Sequence, residues 1–453
     1  MSGARTKTSP REGVAKPWTV LVFMVPSDDL EGFALDDIEE MQRVYPADKF
    51  NLAVQLYRPS GSDRFTMVGG QIVFEDDPPI ATLQDSLVSF LNWGFGDSND
   101  CTYKMVVLWG HSYGVGLNLF SPRQDQRGFA VTPSVRTMVP RPPLKTLVNG
   151  QLNGYVNGNG NGHGNGHGND SGTAKANGYA NGSGNGHDRR PRKRHSATSL
   201  SLADLATALA KVSKEHGPID LLGMDSCYMS SVETAYQLKD VAQYLVASES
   251  WIRKVGWDYA KVFGALAQRP DLTPEAFGKQ IVEGTDGEST RNITLLELAD
   301  MEPLVERGQD CVQHLLSLIK GNAEMRRALQ LALAETGFLK VRQFVDLRNL
   351  VSRVKAAVGE DDTSDPFTPL DNTAQALIRA RKTTGEALGV LNGLSIYYRL
   401  VQASIALGAS RDDGEVNAVV DPEEYDSLAF VKATKWTDLV NALDPARDVA
   451  AQA

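Results

Sequence analysis

A histidine and a serine directly follow an apolar run at residues 104–116, KMVVLWGHSYGVG. Gly110 to Gly114 match the Gly-x-Ser-x-Gly pattern in which α/β-hydrolases carry a nucleophilic serine. In that interpretation Ser112 attacks the substrate. In the other interpretation His111 is a catalytic base, and the nucleophile lies elsewhere in the chain.

The sequence around Ser112 fits a serine hydrolase poorly. An amphipathic helix follows a nucleophile elbow, and an acid and then a histidine complete the triad later in the chain. After Ser112 the sequence reads YGVGLNLFSPRQ, which contains two glycines and a proline. Four downstream histidines lie in or beside a low-complexity segment, His216 ends a helical pattern, and His314 lies within the helical CVQHLLSLIK. We therefore interpret the match as accidental in a chain with 41 glycines.

Cys227 is the thiol best placed to react with a substrate. It follows a second strand-like run, IDLLGMDS, and a helical pattern begins shortly after it, which predicts a stabilised thiolate near a helix N-terminus. His111 also follows a strand-like run, and active sites of open α/β sheets lie at strand ends. The pattern predicts a cysteine nucleophile with a histidine base. The structural alternative is a buried thiol and a surface histidine.

The spacing of these two residues supports the catalytic interpretation. His111 and Cys227 are 116 residues apart in the sequence. Without the low-complexity segment the separation is about 58 residues, close to the ~50 that separate the catalytic histidine and cysteine of caspases. The low-complexity segment therefore resembles a loop inserted between two catalytic strands.

The elements that must position these residues alternate between strand-like and helical patterns. Before the insert, strand-like runs cover 18–25, 51–58, 65–74 and 103–110, and helical spacing covers 28–44 and 82–95. After it, Ser201 and Asp204 form a capping-box-like start to a helix at 201–217. A strand at 218–226, a helix at 230–241 and a strand at 243–250 follow. This alternation predicts an α/β sheet that helices cover on both faces.

The insert is rich in glycine and asparagine and ends in the basic cluster DRRPRKRHS. Such a composition cannot bury enough apolar surface to offset its ordering entropy, so we expect disorder. We divide the chain into a flexible N-terminus at 1–17, a part with His111 at 18–139, the linker at 140–198, a part with Cys227 at 199–270, and a mainly helical region at 271–453 with a late strand near 393–399.

Composition excludes several classes of protein. The formal charge of −10 opposes a general affinity for nucleic acids or anionic membranes. The sequence has no apolar run of ~18 residues and no secretory signal pattern, so we predict a cytoplasmic protein without a membrane or nucleic-acid partner. Its three cysteines, Cys101, Cys227 and Cys311, suggest neither a disulfide framework nor a zinc site.

Five motifs, taken in order, resemble the clostripain family of cysteine peptidases in the caspase-like clan. They are WTVLVFMVPSDDLEGFALDDIEEM, VVLWGHSYGVG, LLGMDSCYMSSVETAYQLKDVAQYLVASES, GWDY and GLSIYY. The resemblance covers most of the chain outside the linker. It implies a caspase-like three-layer α/β/α sandwich with a mostly parallel sheet, in which His111 is the catalytic histidine and Cys227 the nucleophile. The residues identify no cofactor, and Ca²⁺ enters only through the resemblance.

The resemblance also implies substrate-binding residues. Asp225 would shape an acidic S1 pocket for a basic P1 side chain, and the planar fork of a guanidinium favours arginine over lysine. Val255 stands where some members of the family carry an acid, so the pocket rests on Asp225 alone or also on Glu249. The alternative role for Asp225 is an N-cap of the following helix.

Ser112 replaces the glycine that usually follows the catalytic histidine in this clan. A backbone donor survives that change, so we expect the oxyanion to be bound by the backbone N–H groups of Ser112 and Cys227.

Family members are commonly cut between the histidine and the cysteine, which implies a zymogen. The cleavage segment would be the basic cluster, cut by the protein itself or by an upstream activating protease, at Arg189, Arg190, Arg192, Lys193 and Arg194. A localisation or nucleic-acid patch and an inert linker are the alternatives for this segment.

Taken together with these patterns, the resemblance implies a cysteine endopeptidase in an intracellular proteolytic cascade, acting on protein or peptide substrates with a basic P1 residue. The competing functions are a serine hydrolase that uses Ser112 and a catalytically silent caspase-like binding module.

Overall fold

The structure is a computed structural model that describes residues 16–118, 199–336, 344–398 and 422–444, apart from 28, 45–48, 59–60, 79, 81, 97–100, 113, 115, 288, 360–364 and 386–389. All of the described residues belong to one compact unit. The whole predicted linker at 140–198 lies outside them, and so does the predicted flexible N-terminus at 1–17 apart from its last two residues.

The part before the linker alternates strands and helices as predicted. Its elements are β1 (Lys16–Val25), α1 (Glu31–Val44), β2 (Asn51–Arg58), β3 (Gly61–Val68), β4 (Gln71–Phe74), α2 (Leu83–Gly94), β5 (Cys101–Ser112) and β6 (Gly116–Asn118). The single strand predicted at 65–74 is wrong, because the chain turns at Gly69 and Gly70 and separates β3 from β4. Both glycines have positive φ angles, +59° and +73°, which other residues rarely adopt.

The part after the linker begins with an unpredicted short strand, continues through the predicted helices and strands, and ends in the mainly helical region. Its elements are β7 (Ser199–Ser201), α3 (Leu202–His216), β8 (Ile219–Asp225), α4 (Val232–Leu238), β9 (Ala242–Ala247), α5 (Tyr259–Gln268), α6 (Pro274–Gly284), β10 (Asn292–Glu297), α7 (Met301–Ile319), α8 (Ala323–Glu335), β11 (Phe344–Asp346), α9 (Leu347–Val358), α10 (Phe367–Leu377), β12 (Ile378–Thr383), β13 (Ser395–Tyr397), α11 (Pro422–Ser427), α12 (Ala429–Thr434) and α13 (Trp436–Ala442). The predicted capping of α3 is confirmed, since the Ser201 side chain accepts a hydrogen bond from the Asp204 N–H.

The main sheet runs in the order β12-β10-β9-β8-β5-β1-β2-β3-β4. The five central strands, β9, β8, β5, β1 and β2, are parallel, and the strands at both edges are antiparallel. The sequence patterns predicted neither β10 and β12 of this sheet nor the short strands β6, β7 and β11. β12, IRARKT, is a partly exposed edge strand with three basic residues, so it carries no apolar signal.

Helices cover both faces of the sheet, which confirms the predicted three-layer α/β/α sandwich. Residues 18–25 of β1 are all buried, as expected for a strand covered on both sides. Alternate residues Leu21, Phe23 and Val25 join the core formed with α2, α3 and α4, which extends into the C-terminal helices. Helices α1, α5 and α6 pack against one another outside that core, and Phe277 of α6 lies edge-on to Trp18.

The segments that flank the linker pair with each other in one antiparallel ladder. β6 pairs with both β5 and β7, and Asn118 lies opposite Ser199. The late strand predicted near 393–399 is β13, which pairs with β11 in a separate two-stranded sheet. None of the helices in the described part of the chain is long and apolar enough to cross a membrane.

Candidate active site

The register of two central strands brings His111 and Cys227 to the same edge of the sheet. β5 and β8 are neighbouring parallel strands, and Trp109 pairs with Asp225. His111 and Cys227 each follow this pair by two residues, so they come level at the carboxyl edge, where open α/β sheets form their active sites. A thiol and an imidazole at this edge can act as a nucleophile and its base.

The Cys227 thiol is held by the backbone of Ile252. The Ile252 N–H donates to Sγ at 3.2 Å, and Sγ lies 3.5 Å from the Ile252 carbonyl oxygen. Burial raises the pKa of Cys227 to about 11, with a further contribution from the Asp225 charge. The predicted thiolate stabilisation by a helix is wrong, because α4 begins only at Val232 and Ser231 caps it. The field of a helix N-terminus fades within its first turn.

A tight turn follows Cys227 and fixes its position. Tyr228 has a φ of +59°, an uncommon and strained angle for a bulky residue. Its ring stacks on Phe344 with 5.8 Å between centroids, and its N–H donates to the Ser250 carbonyl at 3.0 Å. The motif GLSIYY supports the same turn, since the Ser395 N–H donates to the Ser230 carbonyl at 2.9 Å. The turn is thus held from two sides.

The imidazole of His111 contacts Asp29, a residue that the sequence analysis missed. Nε2 lies 3.1 Å from Asp29 Oδ1, and the same carboxylate binds Lys254 Nζ at 2.8 Å and the Ser27 hydroxyl. Burial would raise the pKa of Asp29, but the hydrogen bonds from Lys254, Ser27 and His111 outweigh it and lower the pKa to about 2. The carboxylate only accepts at neutral pH, so the Nε2 atom carries the proton.

A sequence signal for Asp29 existed. The run 18–25 predicts a strand, and parallel strands bring their carboxyl ends to one edge. In the structure Val25 pairs with Gly110, so the segment after β1 lies beside His111. The acids in PSDDLE were therefore candidates for that edge, but the order of strands in the sheet was unknown.

Ser112 is not arranged as a nucleophile. Its side chain is only 3% exposed, its hydroxyl donates to Met229 Sδ at 2.8 Å, and it accepts from the Gly114 N–H at 3.1 Å. A nucleophile elbow instead exposes its hydroxyl ahead of a helix. Here the short strand β6 follows, and the geometry disfavours the serine hydrolase interpretation.

Asp225 is buried behind Cys227. Its Oδ2 atom accepts hydrogen bonds from the Trp257 N–H at 3.0 Å and the Tyr259 hydroxyl at 3.1 Å, both from the motif GWDY. Its Oδ1 atom has no hydrogen-bond partner among the described residues. Burial raises the pKa of Asp225 to about 7, against the effect of these two donors. The helix cap is Ser231, so the alternative N-cap role does not apply to Asp225.

A second buried acid, Asp37 of α1, lies close to Asp225. A Cβ atom added to Gly256 would be 2.7 Å from Asp225 Oδ2 and 3.3 Å from Asp37 Oδ2, so both carboxyl groups converge there. The Trp109 Nε1–H donates to Asp37 Oδ2 at 2.8 Å. Burial, reinforced by the charge of Asp225, raises the pKa of Asp37 to about 10. Sequence reasoning missed Asp37, because its helical spacing only marked it as part of α1.

Glu249 lies among a different set of side chains. It is fully buried, and its backbone N–H lies 3.4 Å from Asn292 Oδ1. Burial and then the neighbouring Asp346 carboxylate raise its pKa well above the ordinary value. The groups around Asp225 come instead from α1, β5 and the GWDY segment. The structure therefore groups Asp225 with Asp37, while it places Glu249 beside Asp346.

Two further predictions are not tested by the described residues. The basic residues predicted for processing, between 189 and 194, lie outside the described part of the chain. Across the described residues, no group of three or more histidine, cysteine, aspartate or glutamate side chains is arranged to hold a metal ion. Ca²⁺ dependence stays a prediction.

Comparisons with known proteins agree with this fold. The family model of the clostripain family matches residues 163–442, which is more than half of the chain and includes Asp225 and Cys227. A comparison with curated proteins gives no match.

Among solved structures, the fold is similar to a secreted C11 cysteine protease from Bacteroides thetaiotaomicron in complex with an irreversible peptide inhibitor, with 18% identity, a TM-score of 0.53, and coverage of 93% of this chain and 99% of that chain. It is similar to an inactive zymogen C11 protease from Parabacteroides distasonis, with 16% identity, a TM-score of 0.54, and coverage of 93% and 99%. The fold is also similar to a secreted C11 cysteine protease from Bacteroides thetaiotaomicron named iotapain. The identity is 14%, the TM-score is 0.53, and the match covers 93% of this chain and 100% of that chain. At such identities the structures establish likeness of fold, and the family match establishes membership. The chain belongs to the clostripain family of cysteine peptidases.

Proposed function

We propose that this peptidase cleaves after arginine, with Cys227 as nucleophile and His111 as base, and that it is a zymogen processed in its linker within an intracellular cascade. The observation that carries the proposal is the strand register. Trp109 pairs with Asp225, so the imidazole and the thiol follow at the same edge while the Asp225 carboxyl group lies buried behind them.

Each step of the proposed reaction is assigned to a residue of the site. Because the thiol pKa is about 11, Cys227 is neutral near pH 7 and needs a base. The proton moves from Sγ to Nδ1 of His111 as Sγ bonds to the scissile carbonyl carbon, and the carbonyl electron pair moves to oxygen, which the N–H groups of Ser112 and Cys227 bind. The imidazolium then protonates the leaving amine, and water hydrolyses the acyl-enzyme.

The selectivity for arginine rests on Asp225. Its buried Oδ1 atom lacks a hydrogen-bond partner among the described residues, and Asp37 adds a second carboxyl group nearby. A guanidinium offers several donors in a fixed plane, whereas an ammonium is a compact point charge. A bound guanidinium also favours the ionised form of Asp225, whose pKa is about 7 in the free protein.

Substrates that differ only in P1 charge test this selectivity. We expect a peptide with arginine at P1 to be cleaved and its citrulline counterpart, a neutral isostere, to be cleaved far more slowly. Asp225→Asn keeps an acceptor for Trp257 but leaves a buried guanidinium unpaired, which costs about 3 kcal/mol or more. This corresponds to a loss of about 100-fold or more in kcat/KM for arginine substrates.

Glu249→Gln is the matched control, because it also neutralises a fully buried acid. It should keep the selectivity for arginine over citrulline. Unchanged selectivity in Asp225→Asn together with a loss in Glu249→Gln would move the S1 role to Glu249.

Three single variants test the catalytic roles. Cys227→Ala and His111→Ala should each abolish peptidase activity. Ser112→Ala should retain a substantial fraction of it, because the Ser112 hydroxyl is engaged in hydrogen bonds with Met229 Sδ and the Gly114 N–H. A thiol-directed peptide probe should label Cys227 in the wild type. An active Cys227→Ala together with an inactive Ser112→Ala would favour the serine hydrolase, and a folded protein inactive towards both thiol and serine probes would favour a silent binding module.

The ladder formed by β6 and β7 supports processing in the linker. Since Asn118 and Ser199 are paired, a cut in the basic cluster leaves both new chains hydrogen-bonded in one sheet. The active wild type should therefore run as two chains under denaturing conditions and as one species under native conditions. Cys227→Ala should stay a single chain if the cleavage is autocatalytic. Cleavage of that variant in cells would instead indicate an upstream protease, and an active but intact wild type would refute processing.

A further inference from the structure

Asp29 is a charged side chain beside the site to which the catalytic scheme gives no role. It lies between β1 and α1 in a short turn, where the Ser27 carbonyl accepts hydrogen bonds from the Leu30 N–H at 2.9 Å and the Glu31 N–H at 3.1 Å. The Ser27 hydroxyl donates to the same Asp29 oxygen that contacts His111. The carboxylate is therefore anchored by the end of a central strand and the start of a helix.

The two oxygens of Asp29 have different partners. Oδ1 lies 3.1 Å from His111 Nε2, and Oδ2 lies 2.8 Å from Lys254 Nζ. The Lys254 side chain is 51% exposed, whereas that of His111 is 19% exposed. An exposed ion pair contributes little, but a hydrogen bond to a largely buried imidazole fixes its tautomer and ring orientation.

We propose that Asp29 is a positioning residue of the reaction, which holds the Nε2–H of His111 and leaves Nδ1 as the nitrogen that receives the proton of Cys227. This inference rests on the proposed role of His111. The proton on Nε2 stays in place throughout, while the carboxylate stabilises the imidazolium that forms when Nδ1 is protonated. Asp29 binds Nε2 of the His111 ring and thereby leaves Nδ1 free to accept the proton of the thiol.

The test compares Asp29→Ala with a variant that breaks only the other contact of the carboxylate. Asp29→Ala should lower kcat by about 100-fold or more, because the general base loses its orientation, and should leave KM nearly unchanged. Lys254→Met removes the ion pair to Oδ2 and keeps the length of the side chain, and its kcat should stay close to the wild-type value. Thermal unfolding of both variants checks that they are folded.

A double variant separates action through His111 from a structural role. The readout is the rate at which a peptidyl acyloxymethyl ketone with arginine at P1 labels Cys227, followed by mass spectrometry over hours so that slow variants remain measurable. His111→Ala and His111→Ala/Asp29→Ala should label at the same slow rate, since residues that act as one unit are not additive.

The outcomes are distinct. A wild-type kcat in Asp29→Ala would overturn the inference while leaving the proposed function intact. An equal loss in Lys254→Met, or a full further loss when Asp29→Ala is added to His111→Ala, would show that Asp29 acts through the loop and not through the imidazole. Wild-type activity in His111→Ala itself would overturn the proposed function.

Discussion

Gly256 offers a direct test of the acidic group around Asp225. It has a φ of +59°, and its neighbours are side chains that cannot easily withdraw. A Cβ atom there would lie 2.7 Å from Asp225 Oδ2, 3.3 Å from Asp37 Oδ2 and 3.3 Å from Trp109 Nε1. The substitution Gly256→Ala therefore adds one methyl group at the point where both carboxyl groups meet.

The expected cost has two parts that a second glycine separates. Gly69 has the same φ of +59° but nothing within 4 Å of an added Cβ atom. Gly69→Ala should thus cost only the penalty of the left-handed conformation, about 1–2 kcal/mol. Gly256→Ala pays that penalty and an overpacking cost of about 1–3 kcal/mol as well, because Asp225 is held by the Trp257 N–H and the Tyr259 hydroxyl.

Denaturant unfolding of both variants measures the difference in the free energy of unfolding. Cleavage of peptides with arginine or citrulline at P1 measures the effect on selectivity. Gly256→Ala should be the less stable variant and should lose preference for arginine, while Gly69→Ala should keep it. If the two variants lose equal stability and both keep their preference for arginine, then the methyl group added at position 256 does not displace Asp225 and the assigned S1 group is wrong.

Three further predictions concern titration and local structure. The pKa of Asp37 is raised to about 10, so the folded state keeps a proton that the unfolded state releases above pH ~4, and stability falls with rising pH in that window. The free energy of unfolding of Asp37→Asn, measured in urea, should therefore rise relative to that of the wild type as the pH increases from 4 to 9, by up to about 1.4 kcal/mol per pH unit. A difference between the two proteins that does not change with pH would contradict the assignment. Burial raises the pKa of Cys227 to about 11, so the rate at which iodoacetamide alkylates Cys227 in the uncleaved protein should still increase above pH 9. The product is followed in the peptide that contains Cys227, and a rate that levels off near pH 7 would show that the thiolate is already formed. Ser201→Ala removes the cap of α3 and should lower the free energy of unfolding by about 1 kcal/mol, whereas no loss would show that the cap contributes nothing.

The sequence alone determined the two halves of the fold and the two catalytic candidates. Apolar β-branched runs separated by helical spacing dictate buried parallel strands and covering helices, because a strand buried on both faces must be apolar throughout. The positions of His111 and Cys227 directly after two such runs then place both at strand ends. The processing segment, the cytoplasmic location and Ca²⁺ dependence stay predictions, since the described residues do not test them.

The tertiary structure alone decided which strands are neighbours, and with that which acids reach the site. Asp29 follows β1 in the sequence and lies by His111 because β1 pairs with β5. Asp37 of α1 meets Asp225 at Gly256, a contact between segments far apart in the sequence. The same holds for the pKa of Cys227. Proximity to a helix in the sequence predicted a low pKa. Burial instead raises the pKa against the effect of the Ile252 N–H, and desolvation depends on packing that no local pattern encodes.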